Sequence, residues 1–201
     1  MTKFEEQKFN IPTLKGISAK SLEEHLKLYA GYVKNANSIL EKIAQYESHI
    51  KEDDFAPYVI GELHRRFSFE FNGIRNHEYY FDSLSGGSQP LNPTGALAKQ
   101  IEADFDSIET WLNRFKVIAT TRGVGWAMLY YDPKTKQLLN AWVGEQHLGQ
   151  LNGGQTILAL DMWEHSFVFD YQPSGKKQYV EDFFTNLNWE IIEKNLSSAI
   201  K

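Results

Sequence analysis

The stretch LALDMWEHSFVFDY, residues 158–171, carries a carboxylate and an imidazole four positions apart, Asp161 and His165. Both lie in an otherwise apolar run, where a charged or titratable group costs energy unless a partner compensates it. The pair can be an ion pair in a core or two ligands to one metal. Two further histidines share the apolar setting. His25 falls on a helical face with Leu22, Tyr29, Tyr32 and Ala36, and His77 sits within FEFNGIRNHEYYF. A single histidine on an apolar face is ordinarily a hydrogen-bonded core or boundary residue. Three of them with one aspartate form a donor set suited to iron, manganese or zinc. These donors come from three distant parts of the chain, so spacing alone leaves both readings open.

Other chemistries find little support. The chain has no cysteine, which excludes disulfides, zinc–thiolate sites and thiol nucleophiles and fits a cytoplasmic setting. SGGS lacks the lysine and helix context of a phosphate loop, GVGWA lacks a third glycine, and there is no HExxH. No serine stands in a nucleophile-elbow context. A net charge of −5 gives no basic excess for nucleic acid or an anionic membrane. No run approaches the roughly 18 apolar residues of a membrane span, and MTKFEEQKFNIPTL has no basic-then-apolar signal pattern.

The elements that position these groups follow from pattern. A long helix is expected over 21–47 with Ser21 as N-cap, and a second over 54–84 with a possible break near Pro57. SLSGGSQPLNPTG, residues 83–95, reads as a linker. A third helix is expected over 94–116. GWAMLYYD and LLNAWVGE, separated by PKTKQ, read as a hairpin, and TILALD as a third strand. The segment from Tyr179 to Ile200 reads as helical. Helices first, then a small sheet with flanking helices, make an α+β pattern: an N-terminal helical hairpin domain, 1–88, and a C-terminal domain, 89–201, with a three-stranded antiparallel sheet. At 42% hydrophobic, the chain can build a sizeable core in either arrangement.

DMWEHSFVFDY closely resembles the signature of the iron/manganese superoxide dismutase family. SLEEHLKLYAGYVKNAN and FEFNGIRNHEYYF resemble its two ligand helices, GVGWAML its Gly-x-Gly-Trp strand, and YVEDFFTNLNWE its C-terminal helix. The likeness spans roughly residues 8 to 200. It implies an enzyme that converts superoxide to oxygen and hydrogen peroxide. His25, His77, Asp161 and His165 would be ligands to one manganese or iron ion per subunit, Tyr32 the gateway tyrosine, and Trp126 and Trp163 part of an aromatic shell. It implies a glutamine against the metal-bound solvent: Gln146 in GEQHLG, with His147 as the neighbouring choice, and Gly73 leaving room for the incoming side chain. Glu164 would reach the equivalent histidine of a second copy, which implies a homodimer. Lys176 matches a basic residue near the funnel that draws in the anionic substrate.

The chain also departs from that family. His25 and Tyr32 stand seven apart instead of eight, which implies the loss of a helix bulge. Tyr29 stands where the family often has histidine, and Val168 where that histidine's tyrosine partner is usual. Ala159, two before Asp161, points toward iron, whereas the glutamine position points toward manganese, and the balance leans slightly to manganese. The competing functions are a metal-dependent hydrolase on the same ligands and a non-catalytic metal-binding dimer.

Overall fold

A computed structural model describes residues 2–48, 50–51 and 53–201. It opens with an extended arm and then a helical hairpin, α1 (Ala19–Ser48) and α2 (Ala56–Leu84). Along α1, Ser21, His25, Tyr29, Val33 and Ala36 recur at spacings of three and four and are buried, as a core-facing helix stripe requires. The helix is capped by Ser18, whose hydroxyl accepts from the Ser21 amide at 3.1 Å, so the cap lies three residues before the expected one. No π-turn interrupts it, in keeping with the seven-residue spacing of His25 and Tyr32. Pro57 lies in the first turn of α2, where its missing N–H is harmless and the helix is not broken.

The expected third helix is two helices, α3 (Ala96–Phe105) and α4 (Ile108–Ala119). Asp106 takes a positive φ of 72°, and Ser107 caps α4 by accepting from the Thr110 amide at 3.1 Å. A cap residue inside an apolar-periodic run ends one helix and starts the next. The C-terminal helical region divides in the same way, into α5 (Lys176–Asn186) and α6 (Trp189–Ala199). There Asn188 caps α6 by accepting from the Glu190 amide at 3.2 Å.

Between them lies one antiparallel sheet of β1 (Gly125–Asp132), β2 (Gln137–Gly144) and β3 (Gln155–Asp161), in the order β2-β1-β3. Central β1 is buried on both faces from Gly125 through Tyr131, which explains its near-continuous apolar sequence. At the hairpin, Asp132 accepts from the Lys134 amide at 3.0 Å and the Thr135 hydroxyl at 2.8 Å. The glycine-rich linker is tied down: the Asn188 amide donates to Ser83 at 2.8 Å, and its side-chain amide donates to Ser85 at 2.8 Å. The N-terminal arm is clasped too, since Asn186 exchanges two bonds with the Lys15 backbone, at 2.9 and 2.8 Å. Among the described residues, no helix is long and apolar enough to cross a membrane.

Candidate metal centre

Three segments meet at one point. His25 comes from α1, His77 from α2, and Asp161 from the last position of β3. A single 3-10 turn, Glu164–Ser166, then folds His165 back over Asp161. The turn is held because the Ser166 hydroxyl donates to the Asp161 carbonyl at 3.0 Å. One ligand atom from each of the four residues lies within 4.8 Å of the others. Asp161 Oδ2 faces all three rings: it is 3.0 Å from His25 Nε2, 3.1 Å from His165 Nε2 and 3.6 Å from His77 Nε2. Its other oxygen accepts from the Trp163 amide at 2.8 Å.

The protonation states follow from these contacts. His77 Nδ1 lies 2.6 Å from the Gly73 carbonyl. A carbonyl can only accept, so Nδ1 carries the hydrogen and Nε2 keeps its lone pair toward the cluster. That Nε2 is buried without a hydrogen-bond partner among the described residues, a state that calls for an explanation, and a metal ion supplies one. Burial pushes the His77 pKa down to about 3, with the charge of His25 acting in the same direction. Burial likewise lowers His25, against the opposing hydrogen bond and charge of Asp161. Burial alone would raise Asp161, but the charge and hydrogen bonds of His165 and His25 outweigh it and hold the carboxyl well below its usual range. Neutral imidazoles beside an ionised carboxylate are the forms that bind a metal. The donor set of three nitrogens and one carboxylate oxygen fits iron or manganese.

The neighbours are arranged around this cluster. Buried Trp126 donates its indole N–H to Gln146 Oε1 at 2.9 Å, which fixes the amide so that Nε2 donates to the Tyr32 hydroxyl at 3.0 Å. The Trp126 ring stands edge-on to His77 at 5.0 Å, and Trp163 stacks on His165 at 5.6 Å. His147 lies apart from this chain of bonds, its ring 5.7 Å from Phe69. At Gly73 a Cβ would run into the ring of Tyr32, so the missing side chain leaves room for that ring. Ala159 is buried opposite Met128 on β1. Glu164 is exposed on the turn beside His165. Lys176 donates to the Thr121 carbonyl at 3.1 Å and lies over the Trp142 ring; burial lowers its pKa, against the pull of Glu164.

Tyr29 is buried, and its hydroxyl points away from the donor cluster. It accepts from the Gln7 amide at 2.9 Å and donates to Glu78 at 3.2 Å, while Arg75 holds the other oxygen of Glu78 at 2.7 Å. Val168 is exposed. Two supporting residues carry no motif in the sequence. Buried Asn76, next to His77, donates to the Gln146 carbonyl at 2.9 Å. Tyr179 donates to the Asp161 carbonyl at 2.9 Å. Adjacency to a histidine was the one available signal for Asn76; Tyr179 lies on α5, far from the aspartate in sequence.

Fold and donors together define a mononuclear metalloprotein with an all-nitrogen-and-oxygen site between a helical hairpin and a small sheet. The profile of the iron/manganese superoxide dismutase C-terminal domain matches residues 93–195, and the chain belongs to that family. It is 34% identical over 192 residues, 94% of this chain and 92% of the relative, to "Superoxide dismutase [Fe]" of Cupriavidus metallidurans. It is 33% identical over 178 residues, 88% and 80% of the two chains, to "Superoxide dismutase [Mn/Fe]" of Aeropyrum pernix. A match to "Superoxide dismutase [Mn] 2" of Halobacterium salinarum is 41% identical over 126 residues, 62% and 60% of the two chains. Iron, manganese and both appear among these names.

Proposed function

We propose that this chain is a superoxide dismutase, converting two superoxide anions and two protons into oxygen and hydrogen peroxide. The carrying observation is the convergence of four ligand atoms within 4.8 Å, with His77 Nε2 buried and unpartnered. His25, His77, Asp161 and His165 would hold the ion. A bound iron or manganese ion supplies one-electron redox chemistry; the protein supplies geometry, dielectric and protons. We lean to manganese, on the position from which Gln146 enters.

The chain's own groups suit proton delivery. Gln146 Nε2 donates to Tyr32, and among the described residues the hydroxyl's own hydrogen has no acceptor. Burial raises the Tyr32 pKa, so the phenol stays protonated at neutral pH and can donate to an anion in the site. Gln146 is held from both sides, by Trp126 and Asn76, and a fixed donor loses little to reorganisation during the reaction.

The remaining assignments are proposals of the same kind. Glu164 is exposed beside His165 with Val168 and Phe169 exposed next to it, a surface suited to a homodimer contact. Lys176 is a candidate for attracting the anion. A division at 88/89 falls between the glycine turn and α3, and a cytoplasmic location fits the absence of cysteine. The test is superoxide decay with protein loaded separately with manganese and with iron, metal quantified on the same samples. Decay in either form supports the reading, and no decay in either fully loaded form sinks it.

A further inference from the structure

The groups around the centre are unevenly covered. His25, His77, Asp161, Gln146 and Trp126 are buried, whereas Tyr32, Trp163 and His165 are part-exposed. The side of the centre nearest solvent is therefore the side of Tyr32 and His165. Phe69 of α2 lines this rim, its ring 6.0 Å from Tyr32 and 6.4 Å from Trp163. Arg66, one turn earlier, lays its guanidinium over the Phe69 ring at 3.8 Å. Its Nε donates to Glu70 at 2.9 Å, and the other Glu70 oxygen accepts from Asn35 at 3.4 Å.

The charges explain why this matters. Glu70 is only 3% exposed, so a carboxylate is buried at the rim of a site for an anion. The fields of Glu70 and Arg66 both reach the Tyr32 hydroxyl, with opposite signs. Arg66 partly offsets the repulsion that Glu70, the larger of the two influences at that hydroxyl, exerts on an arriving anion. Its own side chain is 51% exposed, so the positive end of the pair faces solvent. The ring beneath fixes the guanidinium by a cation–π contact.

We infer that Arg66 guides the superoxide anion to the centre, acting from the Phe69 rim with Glu70 as its anchor. This rests on the superoxide dismutase reading above. Steering by a fixed charge raises the association rate and fades as salt screens it, with a Debye length of about 10 Å at 0.1 M ionic strength.

The experiment compares wild type, R66Q and R66K, each loaded with the same metal. Two quantities are read: kcat/KM for superoxide against ionic strength, and the dissociation constant of azide, a small probe anion, by optical titration. R66Q is expected to lower kcat/KM roughly two- to fivefold at low salt, converging on wild type at high salt, and to weaken azide binding. R66K keeps the charge and is expected to restore most of both. If R66Q lowers Tm or kcat while its salt dependence and azide affinity match wild type, Arg66 only braces α2 and the inference falls. If loaded wild type shows no dismutation, the functional reading fails, and azide still decides the role of Arg66: equal affinity in R66Q and wild type overturns it.

Discussion

The floor and the rim of the centre are built on opposite principles. At the floor, His77 and Asp161 are fully buried and held by direct hydrogen bonds: Gly73 orients His77, while Trp163, Ser166 and Tyr179 fix Asp161. At the rim, Tyr32 and His165 stay part-exposed, and the Arg66 side chain that pairs with Glu70 faces solvent. A low-dielectric floor makes every unpaired group costly, so its parts are retained as a set. A wetter rim tolerates change and can tune rate. Floor changes should therefore abolish metal binding, and rim changes should scale activity with metal retained.

The largest effect tests the floor. H77A should lose metal stoichiometrically, because no other imidazole can replace Nε2 in that packing; metal analysis after dialysis gives the answer. Metal content equal to wild type would remove His77 from the site. H165A should do the same less completely, since His165 is 21% exposed and water can reach the vacated position.

The next effect lies at the boundary between the two regions. W126F keeps an aromatic ring at the position but removes the pyrrole ring and with it the N–H that orients Gln146. With that donor gone, the amide can rotate and Tyr32 loses its fixed partner. Metal content should stay near one per chain while kcat falls about tenfold or more, the scale of losing an oriented donor. Q146L should behave likewise and H147L should not, because His147 packs on Phe69. If H147L carries the loss instead, the proton-delivery reading has the wrong residue.

Acid should affect the metal-free protein through the floor. His77 has a pKa of about 3 when folded, against about 6.5 unfolded. In the window between those values the unfolded chain binds more protons, so its stability falls as pH falls. The contribution is fully present above about pH 6.5 and is lost progressively toward pH 3. Thermal melts of metal-free wild type and H77Q from pH 7 to 4 should converge as the pH drops. A constant gap would mean that His77 is not neutral in the folded chain.

What could be read in the sequence depended on how local the cause was. Asp161 and His165 are legible together because one strand end and one turn place both. The helix carrying His25 is legible from its apolar spacing, but that His25 meets Asp161, 136 residues away, is a tertiary fact. In the sequence it was carried only by resemblance. The two helix breaks differ in how far the sequence shows them. Asp106 takes a left-handed conformation that its residue type does not announce. Asn188, by contrast, was a legible cap followed by an acid in the first turn, overlooked because apolar periodicity runs across it. Gly73 reads as a small residue that leaves room for a side chain, but that the ring of Tyr32 is what a Cβ there would meet is a tertiary fact.

The smallest effect concerns Tyr29, where this chain departs from the family's usual histidine. Its hydroxyl joins the N-terminal arm at Gln7 to Glu78 on α2, so its role lies in holding the arm against the hairpin. Y29F keeps the ring packing against Phe9 and Phe81 but leaves a Glu78 oxygen and the Gln7 amide without this partner. Losing such a bond at a buried site costs about 1–3 kcal/mol, which at this chain length lowers Tm by a few degrees, at about 2–4 °C per kcal/mol. Metal content and kcat should stay close to wild type, because the hydroxyl makes no bond to the donor cluster. A large fall in kcat at unchanged Tm would move Tyr29 from the scaffold into the proton path, and the separation of floor from rim would then have to extend one turn further along α1.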